Sequence, residues 1–201
     1  MHYQYHPYIW TGVASAALSV TLGIFIVLGR RNVKGAKSFV ACLVFAAVWS
    51  DGNALEIAGA NLETKLLWAN IQYFAYCYLP VAMLALCLEF SDFDRRVNLK
   101  KVLWLAVFPT IIMVLVWTDR LHGLIRYDFR IDSSGIFPVI VKKFGPVFYV
   151  HALYSYLLCL FGWILLFRAV VFKTTIYRKQ TAPCSLESAS SSCPTSCTYL
   201  A

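Results

Sequence analysis

Five stretches of the chain are dominated by apolar positions: residues 8–28, 39–60, 66–88, 102–117 and 144–167. A helix crosses a hydrocarbon core about 30 Å thick with about 20 such residues, so the pattern predicts an all-α, polytopic membrane bundle of five transmembrane helices. Between the fourth and fifth stretches the pattern changes. Across 118–143, Asp119, Asp128 and Asp132 are interspersed with Arg120, Arg126 and Arg130, while Tyr127, Phe129 and Ile131 alternate with charged residues. Period two with a turn signal at Ser133-Ser134-Gly135 predicts a short amphipathic hairpin lying at the membrane interface. Trp10, Trp68, Trp104, Trp117, Tyr8 and Tyr149 sit near predicted helix ends, where aromatic side chains mark the interface.

Composition agrees with this pattern. The 201 residues are 60% hydrophobic and 14% charged, against about 25% charged in a soluble domain. Too little chain lies outside the helices to build a separate catalytic domain of about 50 residues or more. The net charge of +8 is unevenly placed. Twelve basic residues (Arg30, Arg31, Lys34, Lys37, Arg95, Arg96, Lys100, Lys101, Arg168, Lys173, Arg178, Lys179) fall on one side and six (Lys65, Arg120, Arg126, Arg130, Lys142, Lys143) on the other. By the positive-inside rule the richer side is cytoplasmic and the N-terminus is outside. The charge therefore reports topology and contact with the lipid bilayer in a multi-pass plasma-membrane protein. Nucleic acid is not an expected partner, because no basic run is interleaved with aromatics in a soluble segment. The first residues lack the basic region and cleavage site of a removable signal peptide.

Residues 1–180 read as one membrane-embedded domain. From 181 to 201 the chain becomes rich in Ser, with Cys184, Cys193 and Cys197 and one charge, Glu187. This tail shows no helical period and is expected to be non-helical.

Ionisable and amide groups inside a membrane are costly and are functional candidates by default. Trp49, Asn53, Glu56 and Ala60 share one face of the second helix, whereas Asp51 points elsewhere. One reading makes Glu56 the anionic anchor of a ligand pocket between helices. The other has Glu56 simply hydrogen-bonded to Gln72, Tyr73 or Tyr76 on the third helix, as interhelical polar bonds are common in bundles. His151, with Tyr149, Tyr154 and Tyr156 nearby, is either a proton-responsive group or a packed bundle residue. The candidate ligand-binding set is Glu56, Asn53, Trp49, Gln72, Tyr76 and His151. Pro80 and Pro109 are expected to kink their helices and free a carbonyl.

No catalytic residues are expected. Phosphate-loop, nucleophile-elbow, HExxH and dinucleotide signatures do not occur. Cys42, Cys77, Cys87 and Cys159 lie in predicted helices as small apolar residues, and the tail cysteines lack the pairing of a zinc module. His2 and His6 lie on a terminus read as disordered, a poor metal site; neither metal nor cofactor is expected.

The order of these features resembles the N-terminal seven-transmembrane (7TM) region of sensor histidine kinases. The residues that carry the resemblance are Gly35-Ala36 and Phe39, Trp49 with Glu56, Lys65-Leu66-Leu67-Trp68, Gln72-Tyr73, Pro80, and Glu89-Phe90. Pro109, Thr118, His122, Gly145-Pro146, Tyr154 and Arg178-Lys179-Gln180 follow in the same order. The resemblance implies a signal-input module without its own kinase domain, part of a two-component system. Its partners would be a small-molecule or lipid ligand and either a homodimer mate or a cytoplasmic signalling domain supplied in trans. It also implies two further helices where the Ser/Cys-rich tail stands. The chain thus reads as truncated after the fifth helix, with a frameshift just after Gln180 as the expected cause. The competing reading is a small proton- or cation-coupled transporter using Asp51, Glu56, Glu89 and His151 as a path.

Overall fold

The computed structural model describes residues 3–30, 32–91, 104–132, 134 and 138–187, with side chains described only as far as Val171 in the last helix. In chain order the elements are α1 (Ile9–Gly29), α2 (Ala36–Ala58), α3 (Leu62–Ser91), α4 (Val107–Trp117), α5 (Asp119–His122), β1 (Arg126–Asp132), β2 (Val139–Phe144) and α6 (Pro146–Glu187). Among the described residues, four helices are long and apolar enough to cross a membrane: α1, α2, α3 and the Pro146–Val171 part of α6.

The fourth expected span, 102–117, is broken once: Trp104 and Leu105 are helical, Ala106 is a turn, and a helix resumes at Val107, while 102 and 103 lie outside the described residues. Its helix α4 has 11 residues, or about 16 Å at 1.5 Å per residue. The reason is local. Pro109 has no N–H to donate to the carbonyl of Leu105, so the ladder is interrupted around Ala106. Pro109 therefore lies in the first turn of α4 rather than mid-helix. The freed Leu105 carbonyl instead accepts a 2.6 Å hydrogen bond from Tyr154 Oη on α6. Pro80, by contrast, is inside α3.

The third helix is the hub, packing against α2, α4 and α6, while α1 packs on α2. Its two halves hold two apolar clusters: Tyr73 and Cys77 with Ile112, Val116 and Ile125, and Val81 and Leu84 with Leu158 and Leu165. Large apolar side chains such as Leu18, Phe25, Tyr156, Trp163 and Phe167 are exposed. That inversion is what a bundle in hydrocarbon requires, since lipid contact costs an apolar side chain nothing.

The hairpin expected in 118–143 is present. β1 and β2 pair antiparallel, Arg126 opposite Phe144 and Asp132 opposite Val139, with a bulge between Tyr127 and Arg130. At the bulge Asp128 adopts φ 57 and bridges Arg130 Nε at 2.9 Å and Lys143 Nζ at 3.0 Å. Gly145 joins the hairpin to α6 where a Cβ would lie 2.1 Å from the Leu124 carbonyl oxygen, so only glycine fits. Pro146 then starts α6, a position where a missing N–H costs no bond.

Two terminal expectations need revision. The N-terminal segment is not disordered from Tyr3 onward: Tyr3 bridges Gly59, Gln4 N–H donates to the Ala58 carbonyl at 2.7 Å, and Trp68 Nε1 donates to Tyr3 Oη at 3.1 Å. His2 lies outside the described residues. The backbone of α6 continues to Glu187, seven residues into the stretch expected to be non-helical. The apolar period reports a buried face, and a backbone ladder can outlast it. The rest of that tail, 188–201, lies outside the described residues.

Candidate functional site

Two polar rungs join α2 to α3. Glu56 and Trp49 are seven residues apart on α2 and so share a face, as do Gln72 and Tyr76 on α3. Gln72 is buried, and its Nε2 donates to Glu56 Oε2. Trp49 Nε1 donates to Tyr76 Oη at 2.9 Å, with the ring centroids 5.6 Å apart. The helices approach this closely because Gly52 has no side chain: a Cβ there would lie 2.6 Å from Gln72 Cγ. The interhelical bond expected for Glu56 therefore exists, and it occupies one of the two carboxylate oxygens.

Lys65 fixes the end of α2. It is 1% exposed, and its Nζ donates to the carbonyls of Glu56 at 2.8 Å and Ile57 at 3.4 Å. Last-turn carbonyls lack intrahelical partners and attract cations, and α2 supplies no basic residue of its own there.

Two cavities adjoin the rungs. One of about 290 Å³ is lined by Asn53, Glu56, Lys65, Gln72 and, from the hairpin, Pro138, Val139 and Lys142. The other, of about 460 Å³, has a mainly apolar wall that includes Trp49, Leu79, Pro80, Phe144, Phe148 and His151. Tyr73, Tyr76 and Lys142 line both. All six candidate residues therefore border this pair: Asn53, Glu56 and Gln72 the first cavity, Trp49 and His151 the second, and Tyr76 both. His151 is 6% exposed, with Nε2 3.8 Å from Cys77 Sγ. Its Nδ1 and, one turn on, Ser155 Oγ are buried with no hydrogen-bond partner among the described residues.

The hairpin covers the site through two cations that the sequence pattern did not single out. Arg126, 1% exposed, lies over the Tyr73 ring at 4.5 Å from its centroid and donates from Nη2 to Asn70 Oδ1. Asp119 holds it from the other side: Oδ2 accepts from Arg126 N–H and Nε, and Oδ1 accepts from Ile125 N–H. Lys142 on β2 reaches the shared boundary of the two cavities. Desolvation pushes the Lys142 pKa below its ordinary value, Glu56 opposes that shift, and Arg126 adds to it. Lys65 and Tyr73 stand in motifs already noted. For Lys142 and Arg126 the only sequence signal was the alternation that predicts the hairpin, which does not say where the hairpin folds down. Arg126 also lines a third cavity of about 480 Å³ with Asn61, Asn70, Asp119 and Arg120.

Residues 12–186 match one family, described as the N-terminal 7TM region of histidine kinase. No curated protein and no solved structure matches the chain.

Proposed function

The chain belongs to the family of the N-terminal 7TM region of histidine kinase, and on that premise we propose that it is the signal-input module of a sensor, with the paired cavities as its receptor site. It is a multi-pass plasma-membrane protein, and in this reading it binds its ligand rather than transforming it. The observation that carries this reading is that one pair of cavities is walled by four separate parts of the fold: α2, α3, α6 and the hairpin. A ligand there touches every one of them. Binding can shift a conformational equilibrium only through unequal affinity for two states, and a site shared by four elements makes its contacts depend on their relative positions. Glu56, Gln72, Asn53, Trp49, Tyr76 and His151 are the proposed ligand contacts. By the distribution of basic residues, the hairpin end faces outside and α6 carries the displacement toward the cytoplasmic side, where a kinase domain, in cis or in trans, would read it.

A coupled-ion path is not favoured. Asp51 is exposed and lines neither cavity, and Glu89 lies about 25 Å further along α3 than Gln72, so the acidic groups do not form a file. The test is a fusion of the chain to the phosphoacceptor and ATP-binding core of a histidine kinase. Glu56→Gln should change autophosphorylation in membranes at unchanged membrane abundance. Equal loss of signal and abundance would assign Glu56 to structure alone, and ion flux in sealed vesicles that Glu56→Gln abolishes would reinstate the transporter.

A further inference from the structure

Resting on the sensor reading, we propose that the two cavities form one receptor site for an amphipathic carboxylate, its apolar body in the larger cavity and its carboxylate at Lys142. A volume of about 460 Å³ is within the range of about 300–1,000 Å³ usual for small-molecule sites. Its wall offers Trp49, Leu79, Pro80, Phe144 and Phe148 to an apolar body. The boundary with the smaller cavity is polar. Lys142 stands there, and among the described residues no ion pair closes on it; the hairpin ion pairs to Asp128 use Arg130 and Lys143 instead. Tyr76 Oη already accepts from Trp49 Nε1, which leaves its own O–H to donate.

Charge decides the sign of the ligand. Around the boundary Glu56 faces Lys65 and Lys142, while Arg126 and Asp119 answer each other. One positive charge is in excess in a partly desolvated setting, where an anion is favoured over a cation. In the larger cavity, buried His151 Nδ1 and Ser155 Oγ have no hydrogen-bond partner among the described residues. Buried polar atoms are normally hydrogen-bonded, so these two suit a hydroxyl or keto oxygen on the ligand body. The shared chemistry, an anionic head on an apolar body, can come from a free amphiphile or from an anionic bilayer lipid.

The test uses the full chain in phosphatidylcholine nanodiscs, with 10-bromodecanoate, 10-bromodecanol and a bromodecyl-trimethylammonium cation as tryptophan quenchers. The carboxylate should quench saturably and bind about ten-fold tighter than the alcohol, the expected size of one charge-assisted hydrogen bond. The cation should show partition only. Trp49→Phe should remove the saturable component, and Ala152→Phe, which fills the wall of the larger cavity, should remove it for both ligands. Lys142→Gln should bring the carboxylate-to-alcohol ratio toward one, and Lys142→Arg should preserve it. Competition by 3-hydroxydecanoate should exceed that by decanoate, an advantage lost in Ser155→Ala. In phosphatidylglycerol nanodiscs, weakened carboxylate binding would identify a bilayer lipid as the occupant and unchanged binding a free amphiphile. Linear quenching, a preference for the cation, or a ratio indifferent to Lys142 would overturn the proposal. Such a failure beside a Glu56-dependent kinase output would leave the sensor reading standing, whereas saturable binding without any output would sink the sensor reading and keep the ligand.

Discussion

Arg126 is bound twice to Asp119, through its backbone N–H at 2.9 Å and its guanidinium Nε at 3.3 Å, with both side chains buried. This pair ties β1 to α5 and presses the guanidinium onto Tyr73, one of the two aromatic rings common to both cavities. Removing one partner of a buried pair leaves an uncompensated charge, at a cost of about 3–5 kcal/mol. Asp119→Ala should therefore lower the thermal midpoint strongly and speed hydrogen exchange across 126–144. The double variant Asp119→Ala/Arg126→Met should recover part of that loss but not all, because Asp119 also accepts from the Ile125 and Arg126 amides. Full additivity of the two changes would show that the ion pair is not what holds the hairpin.

Gly52 is the contact that sets the spacing of α2 and α3. An added methyl would meet Gln72 Cγ at 2.6 Å, so Gly52→Ala must displace the side chain that bonds Glu56. Overpacking of this kind costs about 1–3 kcal/mol. The expected result is a folded, membrane-inserted protein whose kinase-fusion output matches that of Gln72→Leu, with no further change when the two are combined. An additive double variant would separate the glycine from the Glu56 bond.

Tyr154 compensates for Pro109. Tyr154→Phe leaves the half-buried Leu105 carbonyl without the donor it has in the native structure, a loss of about 1 kcal/mol. Pro109→Ala returns a backbone N–H at the position that would normally serve that carbonyl. Melting in detergent should show Tyr154→Phe destabilised and the double variant less so. A double variant no more stable than Tyr154→Phe would mean that the interruption at Ala106 has another cause.

Asp128 makes the hairpin sensitive to acid. Its carboxyl pKa is held below the ordinary 3.8, first by Lys143 and then by Arg130. A depressed folded-state value contributes stability that is complete above the unfolded pKa and lost as pH falls through the folded one. Hairpin amide exchange should therefore rise below about pH 4, and Asp128→Asn should flatten that dependence. Asparagine tolerates the positive φ of 57, so backbone strain is held constant. An unchanged pH profile in the variant would assign the acid sensitivity elsewhere.

Much of this arrangement was legible beforehand. The apolar runs located α1, α2, α3 and α6 because the cost of an exposed backbone in lipid forces helix on any long apolar segment. Period-two alternation located the hairpin, and the shared face of Trp49, Asn53 and Glu56 matches one wall of the paired cavities. The break at Ala106 within the fourth span was not legible, because hydropathy does not register the N–H that Pro109 lacks.

The sequence by itself determined where the four long apolar helices run and which residues share a face, since both follow from backbone bonding and a fixed period along one chain. Only the tertiary structure decided that Arg126 folds over Tyr73, that Lys142 reaches the boundary of the two cavities, that Lys65 turns inward to the end of α2, and that Gln72 rather than Tyr73 takes Glu56. Those choices depend on helix spacing at Gly52 and on where the strand pair folds down, and both are set by close packing between residues distant in sequence.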